Sequence, residues 1–207
     1  MAMRQRSHRV VRGCAGGGHV ILTPRLVFRS ATRSDLRRIA ATAGDPAAQR
    51  WLGWRPDAVL PPDERERLLA APAGRGRGRF GLPSPRIQTG LIAIDPDRGT
   101  AAGAVSLLPL SAEVCELGGN LAPAYRGRGL GAELFTAGLV LAQRHLHFTE
   151  VRAGAEPENV ASVRSLWRAG LDPVPGPETH RLPDGRVIPS AWFANVEPNP
   201  AWCPSGW

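Results

Sequence analysis

A glycine- and arginine-rich segment past the middle of the chain has the residue types that bind anions. It reads Arg126-Gly127-Arg128-Gly129-Leu130-Gly131, and a helix with one apolar face is predicted to follow from Leu130 to His145. Glycines allow a tight turn and let a ligand approach the backbone closely. The first N–H groups of a helix lack intrahelical partners and carry a partial positive charge. The segment therefore predicts a site for a phosphate or a pyrophosphate.

Two other phosphate-binding loops fit this segment less well. A Rossmann loop has the spacing Gly-x-Gly-x-x-Gly after the first strand, with an acid on the next strand. A Walker loop ends in Gly-Lys-Ser/Thr, and this chain contains no lysine. On the loop alone, a simple turn that enters a helix stays open as an alternative.

The composition argues against several classes of function. No stretch reaches the roughly 18 apolar residues of a membrane-spanning helix. The three cysteines and five histidines lack the spacing of a disulfide framework or a metal site. The net charge is +8, but all 26 basic residues are arginine, which indicates a compositional bias and disfavours a nucleic-acid partner. We expect a cytoplasmic protein with no membrane or metal; a homodimer stays open.

The elements that must position the loop follow from the hydrophobic pattern. Residues 1–19 predict a mobile basic tail, residues 20–196 one domain, and residues 197–207 a C-terminal tail. Strands are predicted at residues 25–29, 87–94, 101–108, 114–121 and 150–155, with a closing hairpin over 180–195. Helices are predicted at residues 34–40, 63–70, 130–145 and 160–169, and an Arg-Gly-rich loop at 74–81. This order predicts a mixed α/β sheet flanked by helices.

At the loop, the chain resembles the GNAT acetyltransferases, whose signature is Arg/Gln-x-x-Gly-x-Gly/Ala. Arg126, Gly129 and Gly131 match each fixed position. The surrounding chain is similar to the ribosomal-protein (alanine) N-acetyltransferase branch, at Leu22 to Arg29, Asp35-Leu36, Asp45-Pro46, Arg50 to Gly53, Glu116 to Gly118, Glu158 to Ser162 and Gly170-Leu171. The resemblance implies an α+β fold with a mixed, mostly antiparallel central sheet of about seven strands.

The resemblance also implies acetyl-coenzyme A as co-substrate. Its pyrophosphate would bind the backbone amides of Arg126, Gly127, Arg128, Gly129, Leu130 and Gly131, with Ala132 at the margin. The strand end that contains Leu121 and Ala122 would run beside the pantetheine arm, and a main-chain N–H there would polarise the thioester carbonyl. Asn159 would hydrogen-bond the pantetheine, although a helix cap explains this residue equally well.

The implied reaction is direct attack on the thioester by a primary amine, either of a small molecule or of a peptide N-terminus. Glu116 is the expected base, with Glu113 as the alternative and a plain surface role for Glu116 left open. Leu166 stands where many members have a tyrosine that protonates the leaving thiolate, so water or, less suitably, Ser162 would supply that proton. Candidate acceptor residues are Asn120 and Trp51, and a core role is the favoured alternative for Trp51.

Two other functions stay open at this point. The absent tyrosine, and Gly119-Asn120 in place of an aromatic pair, fit a catalytically weak or inactive acyl-coenzyme A-binding protein with a sensing or interaction role. The arginines of residues 75–79 and of the N-terminal tail would instead suit RNA. The acceptor amine itself is not specified by the sequence.

Overall fold

The computed structural model describes residues 9–11, 19–32, 34, 35, 37, 38, 45–54 and 89–198. Its strands are β1 (Arg9–Val11), β2 (Val20–Leu22), β3 (Val27–Ser30), β4 (Thr89–Ile94), β5 (Ala101–Pro109), β6 (Val114–Leu121), β7 (Glu150–Ala155), β8 (Asp172–Val174), β9 (Thr179–Arg181), β10 (Val187–Pro189) and β11 (Ala191–Val196). Among the described residues, nine strands form one sheet in the order β1-β2-β3-β4-β5-β6-β7-β11-β8, while β9 and β10 form a separate ribbon.

The helices are α1 (Pro46–Leu52), α2 (Leu130–Leu139) and α3 (Val160–Ala169). Asp45 caps α1 by accepting a hydrogen bond from the Ala48 N–H, and proline suits the first helical position. After Leu139 the chain continues as a π-helix from Val140 to His145. The helix predicted over 130–145 therefore has the expected extent, but only its first part is an α-helix. No helix in the described ranges is long and apolar enough to cross a membrane.

The main core lies between the sheet and the pair α2 and α3. It contains apolar side chains of both layers, including Phe28, Leu107, Leu117, Leu134 and Leu166. Gly138 lets α2 approach the sheet closely, because a methyl group there would lie 2.4 Å from Leu117. A smaller cluster of Ala31, Ile92 and Ala104 packs on the opposite face.

The mixed, mostly antiparallel sheet is the predicted fold, with nine strands in place of about seven. The strands predicted at 114–121 and 150–155 and the helix predicted at 160–169 have the predicted bounds. Part of the segment expected to be a mobile tail joins the sheet, because Arg9–Val11 pairs antiparallel with β2. The predicted helix at 63–70 and the loop at 74–81 lie outside the described residues.

A buried ion pair fastens the helical residues around Asp35 to β3. Arg29 donates two hydrogen bonds to the Asp35 carboxylate, at 2.7 and 3.0 Å, and Thr32 donates its N–H and its hydroxyl to the same group. Burial alone would raise the pKa of Asp35, but these hydrogen bonds outweigh it and hold the pKa below its ordinary value. The pair therefore adds stability above the ordinary aspartate pKa, and that stability is lost as the pH falls.

We expect Asp35→Asn to lower the free energy of unfolding at neutral pH by about 3 kcal/mol, because it breaks a buried ion pair. The variant should also lose less stability than the wild type between about pH 5 and about pH 2, because the contribution of a carboxyl group with a depressed pKa is retained down to its ordinary pKa and lost below it. Urea titrations at both pH values measure these changes, with the exposed Asp97→Asn as control. An equal acid-dependent loss in Asp35→Asn and wild type would contradict this account.

Candidate active site

β6 and β7 are the only parallel pair among the described strands, and they separate partway along their length. The paired residues are Val114 with Glu150, Cys115 with Val151, and Glu116 with Arg152. Beyond Glu116, β6 continues to Leu121 and β7 to Ala155 without pairing to each other. The strands thus open into a slot at their carboxyl ends, the edge where ligands of sheets with parallel strands bind.

The edge of β6 that faces this slot carries backbone N–H groups. The Ala122 N–H donates to the Ala102 carbonyl on the other side, at 2.9 Å. Because N–H groups alternate between the two edges of a strand, those of Gly119 and Leu121 face the slot. Of the predicted residues Leu121 and Ala122, only Leu121 therefore offers its N–H there.

Glu116 and Asn120 lie on the sheet face opposite α2. Side chains alternate along a strand, and the neighbouring Cys115 and Leu117 are buried in the core on the α2 side. Glu116 is half-buried at the last paired position, where the slot begins. Glu113, the alternative base, is exposed in the turn before β6, three residues farther from the opening.

The glycine loop adopts the backbone conformation for which glycine is needed. Gly127 and Gly129 have φ of 72° and 70°, in the left-handed region, and a methyl group at either would meet no atom within 4 Å. Both residues lie at the surface together with the exposed Arg128. The loop therefore presents its backbone to open space at the slot mouth.

Helix α2 begins directly after this loop without a side-chain cap from the described residues. Its N-cap is Gly129, which has no side chain to accept from the first N–H groups, and Leu130, Gly131 and Ala132 follow. Uncapped N–H groups at a helix start attract an anion. Residues 127–132 therefore present backbone N–H groups of the kind that an anion site needs, with the exposed Arg128 guanidinium beside them.

The Arg126 side chain connects the loop to neighbouring parts of the protein. Its Nε donates to the Leu121 carbonyl at 3.0 Å, and its guanidinium pairs with Asp45 at 2.6 Å. Asp45 is also the cap of α1, so one carboxylate joins the loop to that helix. Arg126, the arginine of the loop signature, thus links β6, the loop and α1 through its side chain.

Tyr125, the only tyrosine of the chain, fixes the start of the loop. Its buried hydroxyl donates to Asp95 at 3.0 Å and lies 2.7 Å from the Thr100 hydroxyl, both in the β4–β5 turn. The Arg128 guanidinium lies 5.5 Å from the centre of its ring. This tyrosine is therefore a structural anchor whose hydroxyl is already engaged.

The end of the loop is held through Glu133, a buried acid in the first turn of α2. Its carboxylate accepts hydrogen bonds from the Arg25 N–H and Nε, each at 2.9 Å, and from the Thr23 hydroxyl. Arg25, Glu133, Asp45 and Asp95 were not identified as site residues from the sequence. Two of them offered a signal: Glu133 as an acid in the first turn of a predicted helix, and Asp45 as a capping residue before a proline.

Helix α3 contributes its N-terminus to the same end of the sheet. Asn159 caps it by accepting a hydrogen bond from the Ser162 N–H at 3.2 Å, which confirms the capping interpretation of Asn159. Ser162 is half-buried in this first turn. Leu166, at the position of the family tyrosine, is buried in the core and offers no proton.

Trp51 is on α1 and is only half-buried, outside the described core. The Arg50 guanidinium covers its ring, 4.4 Å from the ring centre. Trp51 therefore does not have the core role that the sequence favoured for it. The ring is a stacking partner of a surface arginine.

Gly131 is required for close packing of α2 against α3. A methyl group there would lie 2.4 Å from the Ser165 Oγ and 3.0 Å from its Cβ. The absence of a side chain at Gly131 thus permits the contact between the two helices, whose N-termini flank the slot. The predicted role as a coenzyme contact rests on its backbone N–H alone.

We expect Gly131→Ala to destabilise the protein by about 1–3 kcal/mol through overpacking. Ser165→Gly removes both clashing atoms and costs about 1 kcal/mol by itself as an interior helix glycine. In a double-mutant cycle, urea unfolding should show that Ser165→Gly recovers most of the loss caused by Gly131→Ala. Strictly additive effects would show that this contact does not limit helix packing.

Several solved structures to which this fold is similar are acetyltransferases. A spermidine N-acetyltransferase from Vibrio cholerae, in complex with coenzyme A and spermine, aligns with a TM-score of 0.64 at 17% identity, over 86% of this chain and 98% of that one. A ribosomal-protein-S5-alanine acetyltransferase from Vibrio fischeri aligns with a TM-score of 0.67 at 16% identity, over 89% and 99%. An aminoglycoside acetyltransferase in complex with coenzyme A gives 0.58 at 21%, over 83% and 94%.

The sequence itself matches a family profile. The profile described as Acetyltransferase (GNAT) domain aligns with residues 25–172, which include the slot strands, the glycine loop and both helices that follow. That range is more than half of the chain. The chain therefore belongs to the GNAT family of acetyl-coenzyme A-dependent N-acetyltransferases.

Proposed function

We propose that this chain acetylates a primary amine, of a small molecule or a peptide N-terminus, within the ribosomal-protein N-acetyltransferase-like branch. The observation that carries the proposal is the slot between β6 and β7, which opens beside an uncapped helix start. Acetyl-coenzyme A, when bound, supplies the acetyl group as an activated thioester. In this proposal the N–H groups of residues 127–132 hold its pyrophosphate, and the β6 edge with Asn159 holds the pantetheine arm.

Glu116 is the base in this proposal. An α-amino group has a pKa of about 8, so much of the acceptor is protonated near neutral pH and a proton must leave before attack. Glu116 stands where the slot begins, on the face away from the core, and its register partner Arg152 is paired with Glu150 instead. The Glu116 carboxylate takes the proton directly or through one water.

Water protonates the leaving thiolate in this proposal. Leu166 is buried and apolar, and the hydroxyl of Tyr125 is engaged by Asp95 and Thr100. A thiol has a pKa of about 8.5, so the thiolate leaves readily without a strong acid. Ser162 is the weaker candidate for donating this proton. Its position in the first turn of α3 places it near the slot, but no described contact directs its hydroxyl toward the thiolate.

Calorimetric titration tests the cofactor loop. We expect the wild type to bind acetyl-coenzyme A with a dissociation constant of about micromolar order and Gly129→Val to bind at least about tenfold more weakly. Valine at φ 70° is strained by about 1–2 kcal/mol and carries its side chain into the open space beside the backbone. Gly185→Val is the matched control, since Gly185 also has a positive φ and open space but lies in the β9–β10 turn.

Absence of binding by the wild type at millimolar cofactor would overturn the proposal. Equal weakening by Gly129→Val and Gly185→Val would assign the effect to general strain.

Steady-state kinetics on a panel of peptide and small amines tests the base. We expect Glu116→Gln to lower kcat by about a hundredfold, the usual contribution of a general base, with unchanged affinity for acetyl-coenzyme A. The matched Glu113→Gln, three residues earlier and exposed, should retain activity. Loss of activity in Glu113→Gln alone would transfer the role to Glu113.

A second candidate function is an acyl-coenzyme A-binding protein without turnover. The buried Leu166 and the Gly119-Asn120 pair motivate it, because both depart from the residues expected of an active member. Tight, Gly129-dependent cofactor binding without acetylation of any amine in the panel would favour this alternative.

A further inference from the structure

Arg25 joins the first turn of α2 to the carbonyl groups of the glycine loop. Its Nε and its backbone N–H bind Glu133, as described above. Its two remaining guanidinium nitrogens donate to the carbonyl oxygens of Arg128, at 2.8 Å, and of Gly129, at 3.1 Å. One planar side chain thus spans the turn in which the chain passes from loop to helix.

These two hydrogen bonds fix the orientation of the peptide groups that follow. In a trans peptide the carbonyl oxygen and the N–H of the next residue point in opposite directions. The described chain contains no cis peptide. With the Arg128 and Gly129 carbonyls turned toward Arg25, the N–H groups of Gly129 and Leu130 point away from it. Both donors are then directed to the side opposite Arg25.

The first intrahelical hydrogen bond of α2 orients the Gly129 carbonyl, but glycine itself restrains the loop before it only weakly. Gly129 has a wide choice of backbone conformations and no side chain to restrict it. No contact lies within 4 Å of the position its side chain would take. The Arg25 guanidinium adds a restraint on both the Arg128 and the Gly129 carbonyls, and the buried Glu133 carboxylate holds the guanidinium in position.

We propose that Arg25 is a positioning residue for coenzyme A, acting through the loop carbonyls to aim two backbone N–H donors at the pyrophosphate. This rests on the proposed binding of the pyrophosphate by residues 127–132. The planar guanidinium is essential to it, since three nitrogens in fixed directions serve Glu133 and two carbonyls at once. A lysine keeps the charge near the phosphate but cannot bridge the three acceptors.

The test compares Arg25→Gln, Arg25→Lys and the control Arg144→Gln, which removes an arginine with an acidic neighbour, Glu197, on the π-helix after α2. Calorimetry with coenzyme A should show affinity reduced by about tenfold or more in both Arg25 variants and unchanged in Arg144→Gln, as for loss of charge-assisted hydrogen bonds. With S-acetyl-pantetheine, which lacks the pyrophosphate, the acetylation rate should be the same in all four proteins. If Arg25→Gln does not fold, the coenzyme A affinity of Arg25→Lys relative to the wild type tests the inference by itself.

The outcomes separate this inference from the proposed function. No coenzyme A binding by the wild type overturns the proposed function itself. Wild-type binding with normal affinity in Arg25→Lys overturns the inference, because a point charge then suffices. An equal loss of activity toward acetyl-coenzyme A and S-acetyl-pantetheine also overturns it, since the damage would then extend beyond the pyrophosphate.

Discussion

The parting of two parallel strands is the constraint on which the rest of the site depends. Parallel strands bring their carboxyl ends to the same edge, and here β6 and β7 pair only as far as Glu116 and Arg152. Each strand is followed by a helix, so the N-termini of α2 and α3 come to that edge together. The close packing at Gly131 and Ser165 keeps the two helix starts adjacent. A slot with backbone donors on one side and helix starts at its mouth follows from this topology.

The loop at the mouth of the slot is restrained at three points by the protein itself. Tyr125 holds its beginning to the β4–β5 turn, Arg126 holds its middle to β6 and α1, and the Arg25–Glu133 pair holds its end. A flexible glycine loop would lose conformational entropy when it binds an anion, and a preorganised loop loses less. The arginines around the loop thus differ in their contacts, since Arg25 and Arg126 restrain the loop while Arg128 is exposed at the surface.

The sequence predicted the fold and the loop because both follow from local patterns. Alternation marked the bounds of β6 and β7, and the glycine spacing marked the turn before α2. It did not predict the restraints on the loop, because Arg25, Asp45 and Asp95 lie far from it along the chain and meet it only in the folded protein. The helix α1 was also missed, although Asp45-Pro46 has the order of a cap and a first helical residue. The extra strand β1 lies in a glycine- and arginine-rich segment whose pattern gives no strand signal.

Helix α2 begins on a glycine, where most helices begin on a residue that can accept from the first N–H groups. No described side chain accepts from these groups, so an anion bound there would complete the hydrogen bonding of the helix start. Binding to the folded chain alone links ligand concentration to unfolding, by about 2.7 kcal/mol at a hundredfold excess over the dissociation constant. Under the proposed binding of the pyrophosphate at this helix start, the resistance of the protein to unfolding would rise with the concentration of its own co-substrate.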